Sequence, residues 1–181
     1  MDKERLKKKF REGNRKAFRM VYDDYADAMY AICLRYTKNT DEAADILQNS
    51  FIKIHEKCGS FNPEYELGGW IKRIVINTAI NHFRQNKKIE LTDNFEGEFD
   101  TEDNAEIEYY ETKNLHEQLL EILKEIPEGY QTVFNLFVFE NLSHKEIADY
   151  LSISESTSKT QLFKARKAIS KKLIERKIIK P

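Results

Sequence analysis

Apolar side chains recur at the spacing of an amphipathic helix along most of the chain, which predicts a protein built from helices. The first is a short basic helix with Leu6 and Phe10 on one face. A long second helix has an aromatic and aliphatic stripe from Phe18 to Tyr36, and a third helix covers residues 41–57. We interpret the aromatic stripe as part of a hydrophobic core.

The third helix has two faces of different chemistry. Its apolar edge consists of Ala44, Leu47, Phe51 and Ile54. On another face, Asp41, Asp45 and Gln48 form a row at positions i, i+4 and i+7. Such a row suits the docking of basic residues of a partner, although an ordinary solvated face has the same pattern. General acid–base catalysis is not expected here, because no histidine or nucleophile is tied to these carboxylates.

A fourth helix is predicted over residues 70–88, with no Gly, Pro or turn cluster to interrupt it. At about 100° per residue, its apolar side chains occupy one half of the helix. An opposite arc of about 80° consists of Trp70, Arg73, Asn77, Asn81 and Arg84. Arg and Asn side chains bind guanine and adenine edges and phosphate, and an indole ring stacks on an unpaired base. The alternative is an amphipathic helix whose exposed face is simply polar.

The loop before this helix, residues 58–69, contains two turn signals, Asn62-Pro63 and Gly68-Gly69. Its aromatic residues, Phe61 and Tyr65, are candidates to hold an extruded base beside the fourth helix. Packing of both rings on the core is the alternative interpretation.

The last third of the chain reads as a set of short helices, with a stop at Pro127-Glu128-Gly129 between the first two. Ser143 and Glu146 have the spacing of a capping box, and the helix that they begin runs to Leu151. A three-residue turn over residues 152–154 follows, with Ser154 as the next N-cap. These features predict a helix-turn-helix.

The second helix of this motif has an inner and an outer face. The residues predicted to point inward are Ser158, Leu162, Ala165 and Ile169. Those predicted to point outward are Ser156, Lys159, Thr160, Phe163, Lys164 and Lys167. A plain αα-hairpin does not need this basic outer face after a short capped turn, so we interpret the helix as a DNA recognition helix.

Charge is distributed unevenly, although the 181 residues sum to −1. Residues 1–89 contain 18 Lys and Arg against 12 Asp and Glu, a charge of +6. Residues 90–112 contain no Lys or Arg and 10 Asp and Glu, a charge of −10. Residues 113–181 contain 12 Lys and Arg and 9 Asp and Glu, a charge of +3. This pattern predicts two basic domains joined by an acidic flexible linker, which suits a polyanion partner contacted at two places. The alternative is that the positive charge merely keeps the surface solvated. Within the linker, a helix is expected to begin near Ala105.

Composition narrows the class of protein further. The chain contains only 3 Pro and 6 Gly, and 34% of its residues are charged. This composition favours helices over sheets. The chain starts without an apolar run and has no stretch near the roughly 18 apolar residues of a membrane span, so a cytoplasmic protein is expected. Cys33 and Cys58 are isolated, as expected for reduced thiols, and no metal or cofactor motif is present.

In its order of segments, the chain resembles the sigma-70 family of bacterial RNA polymerase initiation subunits, in particular the two-domain extracytoplasmic-function (ECF) subgroup. The matching segments of region 2 are AFRMVYDDYADAMYAICLRYT, DEAADILQNSFIKI and GGWIKRIVINTAINHFR. Region 4 is matched by the run from LLEILKEIPEGYQ to QLFKARKAI. The resemblance implies an all-α fold of two small helical domains, with region 2 at 1–89, the linker at 90–112 and region 4 at 113–181.

The resemblance also implies roles for particular residues. Core RNA polymerase would dock on Asp41, Asp45 and Gln48. The -10 promoter element would be recognised and melted by Phe61, Trp70, Arg73, Asn77, Asn81, Arg84 and Lys88. The -35 element would be contacted by Ser156, Thr157, Lys159, Thr160, Gln161, Phe163, Lys164 and Lys167. The acidic linker would run toward the RNA exit path, and an anti-sigma factor is a further candidate partner.

Several positions depart from the family pattern. Asn81 stands where Asp is frequent, and Ser152 and Ser156 stand where glycines are common. Gln161 and Lys164 replace arginines, which removes a bidentate guanidinium from the recognition helix.

Two other functional classes compete with a sigma factor. An autonomous helix-turn-helix regulator would use only the last third and would leave the arc of the fourth helix and the acidic linker unexplained. An enzyme is not expected, because His55, His82, His116 and His144 are scattered and no phosphate loop or nucleophile–base pair appears.

Overall fold

The computed structural model describes residues 2–86 and 115–179, with side chains over 2–82 and 117–179. The chain divides into two compact units, unit 1 at residues 1–88 and unit 2 at residues 89–181. The predicted linker at 90–112, the helix start near Ala105 and Lys88 lie outside the described residues.

Unit 1 is a bundle of four α-helices in its described part. These are α1 (Lys3–Arg11), α2 (Arg15–Tyr36), α3 (Thr40–Lys57) and α4 (Leu67–Asn86), with a 3₁₀ turn at Cys58–Ser60 after α3. Helices α2, α3 and α4 pack against one another, and α1 packs on α2 and on the 3₁₀ turn.

Side-chain caps set where the first three helices begin. The side chains of Asp2, Asn14 and Asn39 accept hydrogen bonds from backbone N–H groups three residues ahead, at 2.8, 3.0 and 2.8 Å. These bonds satisfy donors that have no partner within the helix. Gly13, with φ of +74°, makes the left-handed turn between α1 and α2.

The apolar half of α4 lies in the core of unit 1, as its periodicity predicts. The buried residues of this half are Ile71, Val75, Ile76, Ala79 and Ile80. The prediction for α3 was partly wrong. Phe51 and Ile54 are buried, but the rest of its core face is Ala43 and Ile46, whereas Ala44 is exposed and Leu47 half-buried.

Unit 2 is arranged around one long helix. Its described elements are α5 (Leu115–Glu125), α6 (Glu128–Phe134), a π-helical turn (Asn135–Phe139), α7 (His144–Leu151) and α8 (Glu155–Glu175). Helix α8 packs against α5, α6 and α7. The π-helical turn follows α6 directly, and its Val138 is exposed.

The helix-turn-helix prediction is confirmed in its details. The Ser143 N–H donates to Glu146 Oε2 at 2.8 Å and the Glu146 N–H donates to Ser143 Oγ at 3.3 Å, which completes the capping box at the start of α7. Ser152 ends α7 in the left-handed conformation, with φ of 57°. Ser154 then accepts from the Thr157 N–H at 2.9 Å and begins α8.

In the described ranges, none of the helices is both long and apolar enough to cross a membrane.

Candidate nucleic-acid and protein interfaces

The polar arc of α4 lies on the surface of unit 1. Arg73 and Asn81 are exposed, and Trp70 and Asn77 are half-buried. The guanidinium of Arg73 and the carboxamide of Asn81 therefore face solvent on a helix whose other half is in the core, and the half-buried carboxamide of Asn77 lies between them. The structure does not describe the side chain of Arg84, so its role in binding the -10 element stays a prediction.

Trp70 is held by two other rings rather than projecting freely. Its ring centroid lies 6.0 Å from that of Phe10 and 5.4 Å from that of Phe61, and Phe10 and Phe61 are 6.0 Å apart. Helix α1, the loop and the start of α4 thus meet in one aromatic cluster, which we call the Trp70 cluster (Phe10, Phe61 and Trp70).

The expectation that Phe61 is accessible to a base is contradicted by the structure. Phe61 is only 1% exposed, because Phe10 of α1 and Trp70 of α4 cover its ring. Tyr65 is 68% exposed and is the accessible aromatic residue of this loop.

Helix α1 supports this region in a way that the sequence did not reveal. Lys7 is buried, and its Nζ atom lies 3.2 Å from Glu4 Oε1 and 4.0 Å from Glu66 Oε1, just before α4.

Gly68 and Gly69, which we interpreted as a turn signal in the loop, belong instead to the first turn of α4. A Cβ atom at Gly68 would lie 3.0 Å from a ring carbon of Tyr25, so this glycine allows α4 to approach α2 closely.

The predicted row on α3 is at the surface, and an apolar groove lies beside it. Asp41, Asp45 and Gln48 are all exposed. The groove, of about 650 Å³, lies between α2 and α3. Its lining is Phe18, Tyr22, Tyr30, Ala44, Leu47, Gln48, Phe51, Ile52, His55 and Glu56. Tyr22, which belongs to the stripe that we interpreted as core, is 40% exposed and faces solvent instead, and Ile52 of α3 is 51% exposed beside it.

The two faces of α8 match the prediction only in part. The four residues expected inside are buried: Ser158, Leu162, Ala165 and Ile169. On the outer face, Ser156, Lys159, Phe163 and Lys167 are exposed and Lys164 is half-buried.

Three residues predicted to contact DNA point into unit 2 instead. Thr157 and Gln161 are 3% exposed and Thr160 is 9% exposed. The reason is that α8 packs against three helices, so its buried arc is wider than a single stripe. Thr157 also has a local partner, because its Oγ1 lies 2.7 Å from the capping Ser154 Oγ.

Arg166 is an outer-face residue that the sequence analysis missed. It is exposed, and its guanidinium carbon lies 5.7 Å from the centroid of the Phe137 ring. Its spacing of three from Phe163 and seven from Lys159 places it in the same row, which was the available signal.

An ion-pair cluster joins α5 to the end of α8. Lys172 Nζ lies 2.5 Å from Glu125 Oε2, Arg176 pairs with Glu125, and Arg176 Nη1 lies 3.3 Å from Glu121 Oε2. The hydrogen bond from Lys172, together with the charges of Arg176 and Lys172 and a hydrogen bond from Arg176, holds the pKa of Glu125 below its usual value, although burial opposes this shift.

Neither a metal centre nor a reactive thiol is found in the part of the chain that the structure describes. No group of three or more His, Cys, Asp or Glu side chains there could hold a metal ion. Cys33 and Cys58 are free and buried, and burial raises the pKa of Cys33 to about 12, which keeps this thiol protonated and unreactive.

Two family models match the chain, one in each unit. Sigma-70 region 2 matches residues 21–89, which include α3 and α4, and sigma-70 region 4 matches residues 116–169, which include α7 and most of α8.

Curated relatives align over most of the chain. It is 32% identical over 144 residues to the RNA polymerase sigma factor SigV of Bacillus subtilis, covering 80% of this chain and 83% of the relative. It is 29% identical to the ECF RNA polymerase sigma factor SigW of the same species, covering 96% and 97%. The RNA polymerase sigma-H factor of Pseudomonas aeruginosa is also 29% identical, covering 94% and 93%.

Solved structures show the same fold. CnrH in complex with the cytosolic domain of CnrY matches with a TM-score of 0.54 at 18% identity, covering 95% of this chain and 97% of that one. The sigma factor RpoE in complex with the anti-sigma factor NepR, from Bartonella quintana, matches with a TM-score of 0.53 at 17% identity, covering 86% and 96%.

Proposed function

The chain belongs to the ECF subgroup of the sigma-70 family of RNA polymerase sigma factors. We propose which of its surfaces bind core RNA polymerase, the -10 element and the -35 element. As a member of this family it binds core RNA polymerase and promoter DNA and directs promoter-specific transcription initiation. The family consists of initiation factors rather than enzymes. The alternative of an autonomous regulator gains no support, because family matches extend over both units.

Helix α8 is proposed to enter the major groove of the -35 element. The observation that carries this assignment is the row of Lys159, Phe163 and Arg166 on the exposed side of a helix that follows a three-residue capped turn. Lys159 and Arg166 are about two turns apart on this side of the helix, and cationic side chains so placed bind phosphates or guanine edges. Because Thr157, Thr160 and Gln161 are buried, the contacting set is narrower than the sequence predicted and includes Arg166.

The exposed arc of helix α4 is proposed to recognise the -10 element and to help melt it. Arg73 and Asn81 are accessible donors, and the half-buried Trp70 offers the uncovered part of its ring to a base. The Trp70 cluster would hold that ring in one orientation, so that no ordering cost arises when a base stacks on it. In the loop before α4, the exposed Tyr65 replaces the buried Phe61 as the candidate to hold an extruded base.

The surface of α3 is proposed to dock on core polymerase. Asp45 and Gln48 supply polar contacts, and the adjoining groove supplies an apolar surface for larger side chains of the partner. This combination of a hydrophobic centre and a polar rim is typical of stable protein interfaces. It explains the exposure of Tyr22 and Ile52 better than a core role does.

A run-off transcription assay on genomic fragments tests the function and the docking surface together. Specific transcripts are expected only when core enzyme and this protein are combined. Asp45→Arg should reduce them by about tenfold or more, since a misplaced like charge costs several kcal/mol at an interface. The matched control is Asp24→Arg, an exposed aspartate of α2 that does not line the groove.

Two results would contradict this proposal. Equal loss with Asp45→Arg and Asp24→Arg would remove the docking role from α3. Tight, specific DNA binding by the protein alone, without polymerase-dependent transcripts, would favour the autonomous regulator.

Strand opening tests the role of α4. Arg73→Ala and Asn81→Ala should weaken permanganate reactivity of the -10 region, while the free energy of unfolding changes by no more than about 0.5 kcal/mol because both side chains are exposed. Lys57→Ala, at the exposed end of α3, is the control. Normal opening by both variants would leave the arc as an ordinary polar surface.

The cellular setting follows from the partner. Core polymerase acts in the bacterial cytoplasm, so we place the protein there. An anti-sigma factor is proposed as its regulator, supported by RpoE with NepR among the solved structures of this fold.

A further inference from the structure

His144 lies where three elements of unit 2 meet. It is the first residue of α7, and its ring stacks on Phe137 of the π-helical turn with 4.9 Å between centroids and 27° between planes. Its Nδ1 atom lies 2.9 Å from the Oγ atom of Ser158, which is fully buried in α8. Contacts on two sides therefore fix the orientation of the imidazole, and Nε2 is the ring nitrogen left for another group.

Two cations of the proposed DNA-binding face lie beside this ring. Lys159 follows Ser158 in α8, and Arg166 is placed over the same Phe137 ring on which His144 stacks. Burial, and then the positive charges of Lys159 and Arg166, lower the pKa of His144, whereas Glu155, also in α8, acts weakly in the opposite direction. The π-helical turn contributes the uncharged Phe137. The half-buried imidazole is consequently neutral at pH 7 in the free protein.

We propose that His144 is a DNA phosphate contact of unit 2 and that it takes up a proton when α8 binds the duplex. This inference rests on the proposed role of α8. A backbone phosphate beside Lys159 and Arg166 offsets the charges that oppose protonation, and the imidazolium then offers Nε2–H as a charge-assisted donor. The proton comes from solvent.

The hydrogen bond to Ser158 persists in both protonation states. In the neutral tautomer with its proton on Nε2, Nδ1 accepts from the Ser158 hydroxyl, and in the other tautomer and in the imidazolium the Nδ1–H donates to Ser158 Oγ. The ring therefore changes charge without changing its position.

Proton uptake makes DNA affinity depend on pH in a defined direction. The bound state has the higher pKa, so affinity rises as pH falls through the interval between the free and the bound pKa values. One proton gives a slope of at most about tenfold per pH unit. Because the contact is to phosphate, the effect should occur on duplexes of any sequence.

The test measures binding by fluorescence anisotropy between about pH 8 and about pH 6 in a phosphate-free buffer. The probes are an arbitrary duplex with the full chain, and a transcriptionally active fragment with the holoenzyme. The wild type is expected to bind the arbitrary duplex about three- to tenfold more tightly at the lower pH. His144→Asn keeps a group able to bond with Ser158 but cannot titrate, and should lose most of this dependence.

A second measurement does not depend on the variant's stability. The imidazole proton resonances of the wild type, with His144 assigned by comparison with His144→Asn or His144→Gln, are titrated with and without the arbitrary duplex. An upward shift of the His144 pKa by about one unit on DNA binding supports the proposal. An unchanged pKa, or an identical pH dependence of binding in the wild type and a folded His144→Asn, overturns it. Failure of the proposed function appears separately, as an absence of polymerase-dependent transcripts.

Discussion

The two units position their DNA-facing helices by different interactions. In unit 1, the apolar half of α4 and the Trp70 cluster place the exposed arc through the packing of rings and aliphatic side chains. In unit 2, α8 is placed in addition by short-range polar contacts. These are the Ser154 cap, the bond from His144 to Ser158 and the ion-pair cluster of Glu125.

Because the interactions differ, different conditions should disturb the two surfaces. Packing of apolar rings depends little on pH, and its loss leaves a cavity. Ion pairs and carboxylate caps depend on protonation and are screened by salt. Unit 1 should therefore be sensitive to truncation of a ring, and unit 2 to acid and ionic strength.

Phe10→Ala should have the largest effect, because it removes a fully buried ring that contacts both Phe61 and Trp70. We expect the free energy of unfolding of unit 1 to fall by about 3–5 kcal/mol. Trp70 is the only tryptophan of the chain, so its fluorescence reports on this unit. Tyr65→Ala, at an exposed ring, should change it by about 0.5 kcal/mol or less. Similar losses for the two variants would mean that the Trp70 cluster does not stabilise unit 1.

Acid should destabilise unit 2 through Glu125. Its pKa is lowered by folding, so its stabilisation is present above its usual pKa of 4.5 and is lost as pH falls through the folded value. Glu125→Gln should lower the stability by about 1 kcal/mol or less at neutral pH, since the pairs are exposed, and should reduce the loss on acidification. Far-UV circular dichroism melts over a pH series measure this.

The control for this experiment is Glu117→Gln, at an exposed glutamate of the same helix. Added salt should diminish the effect of Glu125→Gln and leave Phe10→Ala unchanged. An acid response that is identical in the wild type and Glu125→Gln would contradict the role of this cluster.

Ser152→Gly should have the smallest effect and the opposite sign. Ser152 adopts φ of 57°, where a Cβ atom is unfavourable, so glycine should stabilise unit 2 by about 0.5–1 kcal/mol. Ser154→Ala, two residues later, should instead destabilise it by about 1 kcal/mol because it removes the N-cap of α8. Thermal melting compares the two. Destabilisation by Ser152→Gly would show that the serine side chain contributes more than the strain costs.

The local features of both units could be predicted from the amino-acid sequence alone. The caps at Asn14, Asn39 and Ser154, the capping box before α7 and the inward residues of α8 all follow from side chains within four residues of one another. Helical periodicity alone also predicted the buried half of α4. Such features depend on backbone groups and spacing that the chain contains wherever it packs.

Which further side chains are buried depends on how the helices pack, and this could not be predicted from the sequence. Phe61 is buried because Phe10, 51 positions earlier, packs on it from α1. Gln161 is buried because α8 meets three helices, and Ala44 is exposed because α3 turns its neighbour Ala43 toward the core. Burial depends on how many elements surround a helix and at what angle, and residues within one helix do not specify this.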